Sequence, residues 1–342
     1  MNLKDDKYKA YFIVKEMLES IEIIERFAKK DAYIYDVLDV FIKDLKIDDR
    51  FFLSGEGSSR VFPAKNLIYN NFKLDKPFFI HTDGSAQALE YNLKNEVVFV
   101  SSNSGQTKES LQLIQNLLKD KICKRLLVQT TFRGSPIEKN SDLCYILKCG
   151  KEEAVAATKS VIEQALFLEA FFLRIINKEL ENLEEFKQKA LETLELKIDK
   201  DIIEMLASAD TLYFAGRNDG VSEELRIKTL EITRQKSDFL EGTFLLHGAE
   251  ETIKDNDVVI LVEPFLEQQK RIKEYIIDRA KIKVIAISSQ DTIFKTIKIP
   301  ALNKYQTYLS LFAGWNLLVE VGIRRTVNID KPERARKIGN QA

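Results

Sequence analysis

Apolar positions near the start of the chain recur at helical spacing. Ile13, Met17, Ile21, Ile24 and Phe27 share one face, with Lys15, Glu16, Glu22 and Arg26 on the others, which predicts an amphipathic helix over Tyr11–Ala28. Short apolar runs then alternate with helical patterns. Arg50–Ser54, Pro77–His81, Val97–Ser101, Arg125–Gln129 and Cys144–Leu147 read as strands, and Arg60–Phe72 and Thr107–Leu118 between them as helices. The runs are continuously apolar rather than alternating, as in parallel sheets covered on both faces. A charged, Leu- and Glu-rich stretch (Lys178–Lys200) follows, and the pattern returns with Thr211–Ala215, Val258–Glu263 and Lys283–Ser288. Each half has room for about five strands with their helices. The expected fold class is α/β: two tandem doubly wound parallel sheets, each an αβα sandwich. The expected divisions are an N-terminal helical segment (1–30), a first sheet domain (31–180), a second (195–325) and a C-terminal tail (326–342).

Composition narrows the picture. The length of 342 residues fits two domains at about 150 residues each. Lys+Arg total 52 against 53 Asp+Glu, so the net charge is -1. That balance gives no electrostatic case for nucleic-acid or membrane-surface binding. The first residues, MNLKDDKYKAYF, are charged where a signal peptide is apolar. The most apolar run, Ala165–Ile176, is interrupted by Glu169 and Arg174 and falls short of the ~20 residues that span a bilayer. Cys123, Cys144 and Cys149 show no CxxC spacing, and there are two histidines. Neither a disulfide framework nor a metal centre is expected. The expectation is a cytoplasmic protein that uses no metal or organic cofactor.

Three segments carry candidate chemistry. Gly55-Glu56-Gly57-Ser58-Ser59-Arg60 joins a predicted strand to a helix. Its glycines permit a tight turn and its hydroxyls can hold an anion, although it lacks the glycine and lysine positions of nucleotide loops. Ser101-Ser102-Asn103-Ser104-Gly105-Gln106-Thr107 occupies the equivalent place after another strand. An N-cap accounts for one of its hydroxyls but not for four. Such a neutral cradle at a helix start suits a phosphate monoester. In the second half, Glu224, Lys228 and Glu231 fall at i, i+4 and i+7 on one helical face, either as a solvated ladder of charges or as part of a site. His247 follows Glu231 by sixteen positions, and a Glu with a His can divide proton-transfer work.

These segments, in this order, resemble the sugar isomerase (SIS) domain proteins. Strand-GEGSS-helix, strand-SSNSGQT-helix, Glu152-Glu153-Ala154-Val155-Ala156-Ala157-Thr158-Lys159 opening a long helix, and Glu-x15-His-Gly carry the likeness. It is strongest to the isomerase half of glucosamine-6-phosphate synthase, over roughly residues 10–342. The resemblance implies two flavodoxin-like SIS subdomains. It assigns Ser59, Ser102, Asn103, Ser104 and Thr107 to the phosphate, and Ser58, Val155 and Ala157 to the sugar. Glu231 matches the base that moves a proton between C1 and C2, with Lys228 beside it. His247 matches the residue that opens the sugar ring and reaches in from a neighbouring subunit, so a homodimer is implied, with the helix Tyr11–Ala28 offering apolar contact surface. In the tail, Lys337 matches a lysine that forms an imine with the ketose.

The departures are Ala157 where the family has Ser, Ala249 where it has Pro after His-Gly, and Arg336 where it has Ala before the tail lysine. The 342 residues contain no glutaminase segment, so ammonia from glutamine is not expected as a co-substrate. The activity implied is a cofactor-independent phosphosugar isomerase or hexosamine-phosphate deaminase, of the kind that converts glucosamine-6-phosphate. The alternatives are a fructosamine-6-phosphate deglycase, with a similarly spaced Glu and His, and a phosphosugar sensor that binds without turnover.

Overall fold

The computed structural model describes residues 1–119 and 121–334. Two compact units emerge: residues 19–152 with 157–184, and residues 1–18 with 153–156 and 185–333. Helices α1 (Phe12–Ala28) and α2 (Ala32–Phe41) come first. The first unit then runs β1 (Arg50–Gly55), α3 (Val61–Asn71), β2 (Phe79–Gly84), β3 (Val97–Ser101), α4 (Lys108–Lys119), β4 (Arg125–Thr130), β5 (Leu143–Ile146) and α5 (Lys159–Ile175). Its five strands are all parallel, in the order β2-β1-β3-β4-β5.

Why these strands are apolar throughout is visible in how consecutive residues diverge. Phe52, Val98, Val100, Leu126 and Val128 pack with Leu113, Ile114 and Leu117 of α4 on one face. Their neighbours Phe51 and Phe99 meet α5 on the other: Phe51 lies 4.7 Å from Phe172 and Phe99 5.8 Å from Phe171, ring centre to ring centre. Tyr145 stacks on Phe167 at 3.8 Å. A strand buried on both faces has no reason to alternate. Truncating a ring such as Phe171, fully buried here, costs about 3–5 kcal/mol.

The second unit contains α6 (Leu183–Glu195, whose first two residues fall in the other unit), α7 (Lys200–Ser208), β6 (Thr211–Gly216), α8 (Val221–Ile232), β7 (Lys236–Glu241), β8 (Val258–Val262), β9 (Lys283–Ser288), β10 (Lys295–Lys298) and α9 (Gln306–Arg324). Its sheet, also all parallel, is ordered β10-β9-β8-β6-β7. Read from the other edge, this is the order of the first sheet. In both, the chain leaves the first strand of the unit for the edge and returns to its other side, which creates a switch point where open α/β sheets place ligands.

Strands β7 and β10 were not expected from the sequence. Both are edge strands, and the burial of β7 alternates between exposed and covered residues. Strand β2, another edge, begins at Phe79 rather than Pro77. Helix α5 starts at Lys159, so residues 152–158 form an irregular approach to it rather than its first turns. The apolar face of α1 is spent inside the chain: Ile13, Val14, Met17, Ile24 and Phe27 are fully buried. That corrects the expectation that it offers contact surface to a second copy. Among the described residues no helix is long and apolar enough to cross a membrane.

Candidate active site

In the first unit, register brings the two hydroxyl-rich turns side by side. Gly55, the last residue of β1, pairs with Ser101, the last of β3, so both turns leave the sheet at its switch point. After β3 the chain folds back on itself. Ser102 Oγ lies 2.8 Å from Thr107 Oγ1 and accepts the Gly105 N–H at 3.1 Å. Ser104 Oγ accepts the Gln106 N–H at 3.2 Å. Gly105 has φ of +65°, and a Cβ there would stand 2.5 Å from the side chain of Ser135. Ser102, Asn103, Ser104 and Thr107 thus belong to one compact loop at the entrance to α4, whose helical N–H groups favour an anion. In the other turn, Ser58 is buried and Ser59 Oγ is approached by Gln164 Nε2 of α5 at 3.5 Å.

Behind this loop stands Glu152, 2% exposed. Its carboxylate accepts Asn103 Nδ2–H at 2.7 Å, the Thr158 N–H at 2.7 Å, the Ser160 N–H at 3.2 Å and the Ser160 hydroxyl at 2.8 Å. Sequence reasoning noted Glu152 only within a motif. An acidic residue shortly before a long helix is the signal that points to an anchor of this type. Ala157, half-buried, lies on the same approach to α5.

In the second unit, α8 carries the titratable cluster. Lys228 is fully buried, 3.2 Å from the Glu224 carboxylate and 2.8 Å from that of Glu231. Glu224 is also fully buried, whereas Glu231 keeps 30% of its side chain exposed. The cluster is therefore no solvated ladder. Burial pulls the Lys228 ammonium toward neutrality, but the carboxylates of Glu231 and Glu224 outweigh it and hold the pKa above the ordinary lysine value. Lys228 is a fixed cation, and it leaves Glu231 as the member of the cluster that reaches solvent.

His247 lies in an exposed turn after β7, where it caps a short helical turn, Phe244–Leu246. Among the described residues, its side chain and the Glu231 carboxylate are not hydrogen-bonded to each other. Val155 donates its N–H to the Asp330 carbonyl at 2.7 Å. The Asp330 carboxylate in turn accepts the Phe12 and Ile13 N–H groups at 3.0 and 2.8 Å, capping α1. Arg234 donates to the carbonyls of Asn328 and Lys331, so the start of the tail is tied down. Lys337 lies outside the described residues. At the second sheet's switch point, the equivalent of the hydroxyl loops is different in kind. Arg217 donates to the Glu263 carbonyl and lies 4.2 Å over the Phe265 ring. Among the described residues no group of three His, Cys, Asp or Glu side chains is placed to hold a metal ion.

The first of these sheets, with its hydroxyl-lined turn at the switch point, lies within residues 48–174, which match the SIS domain. Over 94% of its length the chain is homologous, at 26% identity, to glutamine–fructose-6-phosphate aminotransferase [isomerizing] of Methanococcus maripaludis, covering 55% of that protein. The chain spans a little over half the length of the curated relatives it matches. Its fold is shared with tagatose-6-phosphate ketose/aldose isomerase from Escherichia coli, with a TM-score of 0.80 at 16% identity, over 97% of this chain and 99% of that one. Glucosamine-6-phosphate deaminase from Thermotoga maritima shares it too, with a TM-score of 0.70 at 21% identity, over 96% of this chain and 99% of that one.

Proposed function

We propose that the chain is a cytoplasmic phosphosugar isomerase or hexosamine-phosphate deaminase that works without metal or organic cofactor. Ser59, Ser102, Asn103, Ser104 and Thr107 grip the phosphate, and Ser58, Val155 and Ala157 contact the sugar. His247, supplied by the second subunit of a homodimer, opens the ring by proton transfer to its oxygen. Glu231 then takes the proton from one of the carbons C1 and C2 and returns it to the other, through an enediol- or enolamine-like intermediate. Lys228 stabilises the negative charge that develops on the substrate as the carbon proton leaves. Lys337, if it condenses with the C2 carbonyl, makes the neighbouring C–H more acidic, because a protonated imine withdraws electrons more strongly than a ketone.

The observation that carries this reading is the burial of Lys228 between two carboxylates. Burying charge is costly unless the geometry repays it, so a cluster serving only solubility would lie in water. The SIS domain match over residues 48–174 and the hydroxyl loop at the switch point support the substrate class. The test is a panel of hexose and hexosamine 6-phosphates scored for isomer and for ammonia. Turnover of one of them, with either product, supports the reading. Turnover of fructosamine 6-phosphates alone would indicate a deglycase, and binding without turnover a sensor. Borohydride reduction in the presence of substrate tests Lys337 separately, through a sugar adduct on that lysine.

A further inference from the structure

Asn103 sits in the loop that the proposed function assigns to phosphate, yet its side chain is held at both ends by the protein. Its Nδ2–H donates to Glu152 at 2.7 Å, and its Oδ1 accepts the Thr131 hydroxyl. Its backbone carbonyl accepts both the Thr131 N–H at 3.0 Å and the Thr130 hydroxyl at 3.1 Å. The amide therefore has one orientation: a carboxylate cannot donate to Oδ1, so the nitrogen end must face Glu152. Glu152 brings a charge to that arrangement, and the same carboxylate receives the Thr158 and Ser160 N–H groups at the start of α5. Those helical N–H groups offset its charge. A carboxylate close behind an anion-binding loop is thereby made tolerable.

We propose that Glu152 is a positioning residue for phosphosugar binding, acting through Asn103. It fixes the Asn103 amide, and with it the 102–107 loop, in the conformation that receives the phosphate. The inference rests on the proposed function, because it takes that loop to be the phosphate site. It predicts that losing the carboxylate weakens binding while leaving the chemical step nearly unchanged, since a phosphate grip acts alike on ground state and transition state.

Glu152→Gln is the discriminating variant. Gln keeps the size and, through its one oxygen, the contact with the helix N–H groups. Its –NH2 then faces the –NH2 of Asn103, and the donor–acceptor match is broken. Titration calorimetry with glucosamine-6-phosphate and with inorganic phosphate should show both dissociation constants rising about tenfold, the usual scale for a lost charge-assisted hydrogen bond. On the sugar phosphate that the wild type converts, KM should rise in parallel while kcat stays within about threefold. Asn103→Ala should weaken binding similarly, and the double variant should be no weaker than either single one. Ser160→Ala removes a different hydrogen bond to the same carboxylate and should leave both constants within about twofold. Thr131→Val, which frees only the other end of Asn103, gives the same readout in a milder form if Glu152→Gln does not fold.

Wild-type protein that binds neither probe would overturn the proposed function and this inference with it. Wild-type binding that Glu152→Gln leaves intact would overturn the positioning role alone. Equal loss in Ser160→Ala and Glu152→Gln, or additive losses in the double variant, would also overturn it, because the effect would then run through α5 rather than Asn103.

Discussion

Replacing Gly105 by alanine separates two costs that usually come together. Gly105 and Gly134 both have left-handed backbones, with φ of +65° and +73°. An alanine Cβ at Gly134 would meet nothing within 4 Å, whereas at Gly105 it would stand 2.5 Å from Ser135 Cβ and Oγ and 2.7 Å from Thr130 Oγ1. Gly134→Ala therefore bears only the left-handed penalty, about 1–2 kcal/mol. Gly105→Ala bears that and an overpacking cost of about 1–3 kcal/mol, because Ser135 is buried and has nowhere to withdraw. The difference between the variants, about 2 kcal/mol in mid-range, corresponds to roughly 4–8 °C in Tm for a unit of this size. Thermal unfolding of both proteins measures it. Calorimetric titration with inorganic phosphate should show a loss of affinity in Gly105→Ala and none in Gly134→Ala. Equal melting temperatures and equal phosphate binding in the two variants would refute the account of the loop as a tightly packed cradle.

Other outcomes follow from the second unit. Glu231→Gln should lower kcat by about 10²–10⁴-fold, the range for a lost general base, with KM little changed; full turnover would remove its proton-transfer role. Lys228→Met takes the cation from between two carboxylates and should cost about 3–5 kcal/mol at neutral pH. Because the folded pKa of Lys228 is raised, its contribution is complete below 10.5 and fades only as pH climbs through a still higher value. The gap in stability between wild type and variant should thus be flat from pH 7 to 10 and narrow beyond, and a gap that opens with rising pH would contradict that sign. Co-expressed Glu231→Gln and His247→Ala chains should recover about a quarter of wild-type activity, since half the dimers are mixed and each has one intact site of two. No recovery would show that His247 is not shared between subunits.

The central strands of both sheets were legible because burial on two faces leaves only apolar residues to choose from. β7 and β10 were not, since an edge strand faces water and its side chains look like those of a loop. The spacing of Glu224, Lys228 and Glu231 showed that they share a helical face, but periodicity cannot say whether that face is wet. Their burial depends on how α8 lies against the sheet and α9, contacts remote in sequence. Glu152 illustrates the same gap. Its partner Asn103 lies 49 positions away, and only the fold joins the end of β3 to the start of α5. Asp330, whose carboxylate caps a helix more than three hundred residues earlier, had no local signature.

The two sheets follow one plan but treat the same crevice differently. In the first, the chain lines it with small hydroxyls and a glycine. In the second, the Arg217 guanidinium lies across an aromatic ring and donates to a strand-end carbonyl, so the protein lodges a large side chain of its own where its counterpart has small polar groups. A duplicated architecture has in this way furnished its two crevices differently. Under the proposed function, one copy would specialise in capture, and the other, its crevice crossed by Arg217, would use a helix flank for moving protons.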